Sequence, residues 1–261
     1  MKVTVLILLV LLTSCVNNEN GLLTKNPIGS ENSITLQSNE KELEIKKVSY
    51  SNPNVNISYP EIINHNNLEH GIQLNEILKS EAMQSLEQYG GNEQGYELDV
   101  DYIPKCVGNT LISIQYVGSS YVKDGAHPKS LFFTVNLDVK NSRKLLLRDV
   151  VKINDEFIDL LRGARYVPYD SDLNVESEAR EELSNYSNAE LIAYLNKSDE
   201  VSDINELGVF TYFADESLGI SFNVPHALGD HVEFEIKYSD LKNHILTQNI
   251  VWRDTTPTLA N

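Results

Sequence analysis

The residues of this chain best suited to proton chemistry or ligand binding near neutral pH are its histidines, and one of them lies in a distinctive run. His127 belongs to the run Gly125-Ala126-His127-Pro128. Glycine reaches backbone angles closed to other residues, and Pro128 restricts both its own conformation and that of His127. The run therefore predicts a loop of defined shape that presents His127. Loops of any role need such residues, so a histidine that only packs locally is the more common explanation.

Two further histidines lie with Asp230 in a second loop, residues 225–231. His226 and His231 are five residues apart, unlike the pair four apart on a zinc-binding helix, so their spacing does not favour a metal site. Ser221 lies in a run that resembles a nucleophile elbow, but the run lacks the final glycine and alternates like a strand. The sequence accordingly predicts no catalytic residue, no metal and no cofactor, with 225–231 as a secondary binding loop.

The His127 loop connects two runs of β-branched and aromatic residues, 110–117 and 130–137, which predict two strands. Pro60 is expected to end an earlier strand, and Gly90-Gly91 to end a helix. Alternation places the earlier strands at 42–50, 55–59 and 96–103. Helical periodicity places the helix at 73–89.

The second half of the chain shows a similar mixture of patterns. Asn188 is expected as the N-cap of a helix over 189–195. Helical patterns lie at 155–164 and 176–195, and strand patterns lie at 209–213, 218–224 and 232–238. The sequence thus predicts an α+β fold, with antiparallel sheets and a few packed helices in two small domains, 41–150 and 151–261, that share an interface.

The N-terminal residues predict a lipoprotein signal peptide. Residues 1–14 contain one lysine and an apolar run too short to span a bilayer as a helix. The end of this segment, Leu12-Thr13-Ser14-Cys15, resembles a bacterial lipobox, in which the cysteine carries a lipid such as palmitate. Residues 15–40 are polar and predict a tether. We therefore expect an extracytoplasmic protein that is anchored to a bacterial membrane.

The charge and cysteine content exclude some classes of function. The chain has 38 acidic and 21 basic residues, so binding to nucleic acid is disfavoured and attraction of cationic partners is favoured. Cys106 is the one cysteine besides Cys15, so no disulfide is expected within the mature chain. Cys106 is expected to be a packed small residue rather than a reactive thiol.

Several segments resemble a known family. Tyr121 followed by Asp124-Gly125-Ala126-His127-Pro128 is similar to the aromatic and Gly-Gly-Ala-His-Pro signature of RsiV-like ectodomains, with Asp124 in place of the first glycine. Tyr59-Pro60-Glu61-Ile62 and Tyr238-Ser239-Asp240-Leu241 resemble two further stretches of these paired domains of unknown function, DUF4163 and DUF3298. The resemblance covers about residues 41–245, without the catalytic or anti-sigma segments that accompany these domains elsewhere.

The resemblance implies a function in binding. Related ectodomains occur in lysozyme-sensing anti-sigma factors and in peptidoglycan deacetylases. We therefore expect a lipid-anchored binding or sensing module whose partner is a lysozyme-like cationic protein or a cell-wall glycan. Its binding loop would contain Tyr121 and residues 124–128. A peptidoglycan-directed enzyme with an unrecognised site near His127, and a structural envelope lipoprotein, are the alternatives.

Replacing Cys15 by alanine tests the anchor. Without the thiol no lipid can be attached, so the Cys15→Ala protein should appear in the soluble fraction or remain an unprocessed precursor. Membrane fractionation followed by mass spectrometry of the N-terminus measures both outcomes. Processed Cys15→Ala protein that stays with membranes at the wild-type level contradicts the lipoprotein prediction.

Overall fold

The computed structural model of this protein describes residues 42–88, 95–168, 174–200, 207–246 and 251–252. Cys15, the signal peptide, the tether and Gly90-Gly91 lie outside these residues, so the expectations for them stay predictions. No helix in the described part of the chain is long and apolar enough to cross a membrane.

The chain begins with a hairpin and a crossover helix. Strands β1 (Ile45–Asn52) and β2 (Val55–Ile62) pair antiparallel, and helix α1 (Leu68–Gln88) follows. Strand β3 (Tyr96–Val107) then pairs with β2 in parallel. The helix provides the long connection that parallel neighbours require. The prediction of antiparallel sheets was therefore wrong for the β2–β3 pair, because the alternation of apolar residues does not indicate the direction of a strand.

Pro60 lies inside β2 and does not end it. The Ile63 N–H donates to Glu44 O, which lies just before β1. In an antiparallel pair the backbone groups of successive residues point alternately towards and away from the neighbouring strand. The N–H and C=O of Ile62 and the C=O of Pro60 therefore point away from β1. On that side the Asn75 side chain binds the backbone N–H and C=O of Ile62, at 2.8 and 3.0 Å. Because β3 pairs with β2 only as far as Ile57, no partner there requires an N–H from residue 60.

The first sheet is completed by three more strands. They are β4 (Leu111–Val122), β5 (Lys129–Asp138) and the short β6 (Arg143–Lys144). Within the described residues, six strands form a curled mixed sheet in the order β1-β2-β3-β4-β5-β6. One face packs on α1 through buried apolar side chains, among them Leu74, Leu78, Ile114, Tyr116, Phe133 and Val135.

The described residues of the second half include several helices and a separate sheet. The helices are α2 (Leu147–Val150), α3 (Asp155–Arg162), α4 (Glu176–Ser184) and α5 (Asn188–Asn196). The strands are β7 (Arg165–Val167), β8 (Val209–Phe213), β9 (Ser217–Asn223) and β10 (His231–Lys237), paired antiparallel in the order β7-β10-β9-β8 among the described residues. The predicted α+β class is confirmed.

The N-cap of α5 is Ser187, one residue before the expected Asn188. The Ser187 hydroxyl accepts from Glu190 N–H, and the Glu190 carboxylate accepts from Ser187 N–H at 2.8 Å, which makes a reciprocal capping box. The Asn188 side chain instead donates to Asp155 at the start of α3. Serine and asparagine are both good caps, so composition alone did not separate the two positions.

Buried apolar side chains of the described residues form two core clusters, one under each sheet. The clusters do not follow chain halves strictly. Phe210 and Tyr212 of β8 pack into the first cluster, whereas Cys106 and Leu111 of β3 and β4 pack into the second. Cys106 is buried there. The two sheets are therefore packed against each other, although the boundary near residue 150 stays a prediction.

Polar side chains satisfy the outer edge of β8, where the two sheets meet. Asn136 on β5 donates to Thr211 O at 2.8 Å, and Ser113 on β4 accepts from Phe213 N–H at 2.9 Å. Asp199 accepts from Thr211 N–H at 2.6 Å. Ser113 also donates to Asn136 Oδ1 at 2.7 Å. These side chains take the place of a neighbouring strand for the buried edge of β8.

Replacing Asn136 by alanine should destabilise the fold. The change removes the donor to Thr211 O and the acceptor for the Ser113 hydroxyl proton, and a buried polar group left unsatisfied costs about 1–3 kcal/mol. We expect a loss of about 2–4 kcal/mol in the free energy of unfolding, measured by denaturant titration. Asn56→Ala, an exposed strand position, is the control and should lose under about 1 kcal/mol. Equal losses in both variants refute the interface role.

Candidate functional site at the junction of the two sheets

The loop after β4 has the defined shape that the sequence predicted, but a different residue takes the unusual conformation. The Gly125 N–H donates to Val122 O at 2.8 Å, which closes a turn. Asp124 occupies the left-handed region with φ 66°, whereas Gly125 does not have a positive φ. Gly125 therefore does not use the backbone freedom that its residue type offers. A Cβ on Gly125 would lie 2.8 Å from Val122 O, so space at this turn requires the glycine.

His127 of this loop stacks on His226 of the second loop. Their ring centroids are 3.5 Å apart and the ring planes differ by 2°. His127 Nδ1 lies 3.2 Å from Pro128 O, and His226 Nδ1 lies 3.0 Å from the Asp230 carboxylate. Each Nδ1 therefore carries the proton when the ring is neutral, which leaves each Nε2 as an acceptor. The two loops that the sequence singled out meet at this stack.

Asp230 joins the second loop to the first sheet. Its carboxylate accepts from Ser130 N–H on β5 at 2.8 Å and from His226 at 3.0 Å. The side chain is buried, and both Gly229 and Asp230 have positive φ, 100° and 70°. A buried carboxylate with two donors has a fixed position, and it fixes the 225–230 loop against β5.

Not every predicted site residue lies on the surface. Ala126, His127 and Pro128 are exposed, as is Asp124, while Tyr121 is partly buried and donates to Gly125 O at 3.3 Å. His231 is buried at the start of β10, where its ring packs on Phe132 with the two ring centroids 4.7 Å apart. Burial lowers the pKa of His231 to about 4. His231 therefore belongs to the packing between the sheets, Asp230 is buried beneath the second loop, and of these three residues only His226 is exposed.

We call the surface formed by residues 121–128 and 225–230 the junction rim. Two clefts adjoin it. The sheet cleft, of about 540 Å³, lies on the first sheet beside Tyr121 and Pro128. The helix cleft, of about 380 Å³, lies between α4 and the second sheet and reaches Lys129, Pro225 and Asp230. The rim thus lies between the two clefts and contributes residues to both.

Sequence reasoning missed a group of titratable residues between the sheets. The Tyr212 hydroxyl donates to Glu235 at 3.0 Å, and Lys105 of β3 lies 4.4 Å from the Tyr212 ring centroid. Burial raises the pKa of Tyr212 far above its usual range and also raises the pKa of Glu233. The Tyr212 ring covers Gly219, its partner across the β8–β9 hairpin. A glycine opposite an aromatic residue in a hairpin was the available signal.

Ser221 is not placed for nucleophilic attack. It lies within β9, it is 1% exposed, and its neighbours across the sheet are Phe210 and Glu233. A substrate cannot reach a hydroxyl that is enclosed between two sheets. The resemblance to a nucleophile elbow therefore arose from a buried strand rather than from an exposed turn.

The architecture can be compared with solved structures. A crystal structure of a DUF3298 family member from Bacteroides fragilis superposes with a TM-score of 0.53 and 15% sequence identity, over 83% of this chain and 99% of that one. This chain has a DUF3298-like fold. A DUF3298 family protein from Pseudomonas aeruginosa aligns over 78% of this chain and 95% of its own, at 13% identity and a TM-score of 0.45. No family model and no curated protein matches the sequence.

The DUF3298-like fold agrees with the family resemblance stated from the sequence. At this level of identity the comparison shows the fold, and it assigns no ligand or partner. Asp124 adopts a left-handed conformation, which glycine would reach without strain.

Two substitutions in the turn should have different effects. Gly125→Ala places a Cβ against Val122 O and should cost about 1–3 kcal/mol of unfolding free energy, since this overpacking is against backbone. Asp124→Gly relieves a left-handed residue and should change stability by less than about 1 kcal/mol. Thermal and denaturant unfolding measure both. A Gly125→Ala protein as stable as wild type contradicts the turn geometry.

Proposed function

We propose that this protein is a lipid-anchored binding module of the bacterial cell envelope, and that it recognises a cationic partner protein through the junction rim. The observation that carries the proposal is the His127–His226 stack, which joins the two loops into one exposed surface. Residues from both halves of the chain would contact the same partner. Lysozyme, the partner implied by the RsiV-like resemblance, is the first candidate.

The rim has the rigidity that a binding surface needs. Asp230 holds the second loop through two hydrogen bonds, and the turn closed by Gly125 holds the first. A surface held in its bound shape loses little conformational entropy when a partner docks. Exposed polar and aromatic groups on the rim, including both Nε2 acceptors, are then available for specific contacts.

The charge of the chain favours a cationic partner. The formal net charge is −17, so a basic protein is attracted over long range. Such attraction raises the association rate and weakens as salt shortens the screening length, from about 10 Å at 0.1 M to about 3 Å at 1 M. Contacts at the rim should instead set the dissociation rate. Salt and rim substitutions therefore affect different rate constants.

A salt series with hen-type lysozyme immobilised on a biosensor surface tests the proposal. Wild type should bind, with an association rate that falls as salt rises. A His127→Ala, Tyr121→Ala double variant should dissociate at least about tenfold faster while its association rate stays similar. His70→Ala, a histidine remote from the rim, is the matched control and should resemble wild type.

Two outcomes would contradict the proposal. Unchanged dissociation of the double variant would show that attraction is by charge alone and that the rim is not the binding site. Absence of binding by wild type even at low salt would remove lysozyme as the partner.

An enzymatic function is the second candidate, because His226 and Asp230 form a carboxylate–imidazole pair beside a cleft. Such a pair can act as a general base, since the carboxylate orients the ring and stabilises its protonated form. Incubation with labelled peptidoglycan, followed by chromatography of released fragments, tests it. Product that forms with wild type and is lost in His226→Ala would favour the enzyme over the binding module.

A further inference from the structure

The sheet cleft is a concave surface that the proposed protein partner does not account for. It lies on the open face of the first sheet, away from α1, and its volume of about 540 Å³ is typical of ligand sites. Strands β1 to β4 and the β1–β2 turn form its walls. Its lining residues are all described in the structure and include Ser51, Asn54, Asn56, Glu97, Asp99 and Ser119, together with Tyr121 and Pro128 of the rim.

Part of the polar lining is fixed in position and part of it is unused. The Ser51 hydroxyl donates to Asn56 Oδ1 at 2.9 Å, and Asn56 Nδ2 donates to Asp99 at 2.9 Å. By contrast, the side chains of Asn54, Glu97 and Ser119 make no hydrogen bond to the described part of the chain. The cleft thus offers amide, hydroxyl and carboxylate groups to a ligand rich in donors and acceptors.

The end of the cleft nearest the rim is apolar. The Tyr121 ring is held by its hydroxyl, which donates to Gly125 O at 3.3 Å, and Pro128 lies beside it on the cleft wall. A rigid aromatic ring next to a proline provides a flat surface for the C–H face of a sugar ring. Hydroxyl and amide groups on the edge of the same sugar would then meet the polar wall.

The charge of the cleft selects among polar ligands. Glu97 and Asp99 line it, and none of its described lining residues is lysine or arginine. The nearby Lys47 is already paired with Asp101 at 2.7 Å. Phosphate, sulfate and carboxylate groups would be repelled, so an anionic polymer does not fit.

From these observations we infer that the sheet cleft binds an uncharged oligosaccharide of N-acetylated amino sugars. The acetamido group offers one donor and one acceptor, which matches the asparagine amides of the β1–β2 turn. This site goes beyond the proposed function, because its ligand is a saccharide and its surface is the face of the first sheet. Chains of such sugars occur in chitin and in peptidoglycan. Unlike chitin, peptidoglycan strands without their peptides carry a carboxylate on every second sugar.

Calorimetric titration with chitotetraose, the tetramer of β-1,4-linked N-acetylglucosamine, tests the inference. The full protein should bind it with a dissociation constant of about 1 mM or tighter. Ser119→Trp fills the cleft and should weaken binding at least about tenfold. Ile103→Trp places the same side chain at an exposed position of β3 that lies outside both the cleft lining and the junction rim, so its affinity should match wild type.

A second variant and a second ligand complete the experiment. Asn54→Ala removes one unused amide with little effect on packing and should weaken binding by about three- to tenfold, which serves if Ser119→Trp does not fold. A peptidoglycan tetrasaccharide with free lactyl carboxylates should bind more weakly than chitotetraose at low salt, and the difference should shrink at high salt.

The inference is overturned if wild type does not bind chitotetraose, if Ser119→Trp and Ile103→Trp bind equally well, or if the carboxylate-bearing sugar binds more tightly. Ser119 and Asn54 lie outside the junction rim. Loss of saccharide binding in their variants is therefore a separate result from loss of lysozyme binding in the rim variants.

Discussion

The buried edge of β8 is the constraint on which the arrangement of the two sheets depends. A strand edge inside a protein has N–H and C=O groups that need partners, and leaving them unpaired costs more than most single contacts gain. Here the partners are side chains of Ser113, Asn136 and Asp199. Because each hydrogen bond requires a particular register, these contacts fix the position of the second sheet on the first.

The same contact surface continues along β5 to the junction rim. Every second residue of β5 meets the second half of the chain, since Ser130 binds Asp230, Phe132 packs on His231, Thr134 binds Asp199 and Asn136 binds Thr211. The intervening residues face α1. A single strand therefore carries one core on one face and the inter-sheet contacts on the other. The His127–His226 stack lies beyond its first residue and depends on this alignment.

Local patterns in the sequence predicted the elements well, and non-local contacts poorly. Alternation and periodicity identified α1, β3 and the β8–β9 hairpin because each buries its own apolar face. The parallel β2–β3 pair and the continuation of β2 past Pro60 depend on which neighbour is present at each edge. Sequence does not contain that information locally.

The candidate site shows the same division. The shaped loop at Gly125 was evident, although space rather than backbone angle is the reason for the glycine. The contact between the 225–231 loop and His127 could not be predicted without knowing how the two sheets pack. The role of Asp199 was not predicted. The sequence of β5 nevertheless contained a signal for the polar interface to which Asp199 belongs. The apolar residues of this strand alternate with Thr134 and Asn136, and polar residues opposite a core face in a central strand indicate a polar interface.

Asp199 has a further consequence, for the response of the fold to acid. Burial raises its pKa to about 6 from 3.8, so the folded state binds this proton more tightly and gains stability as the pH falls from 6 towards 4. The opposite holds for His231, whose pKa falls from 6.5 to about 4, so the unfolded state gains the proton over the same interval. Each effect amounts to about 3 kcal/mol, and the two have opposite signs. Two buried groups of the inter-sheet contact thus respond to acid in opposite directions, and their contributions to the stability of the fold offset one another between pH 6 and pH 4.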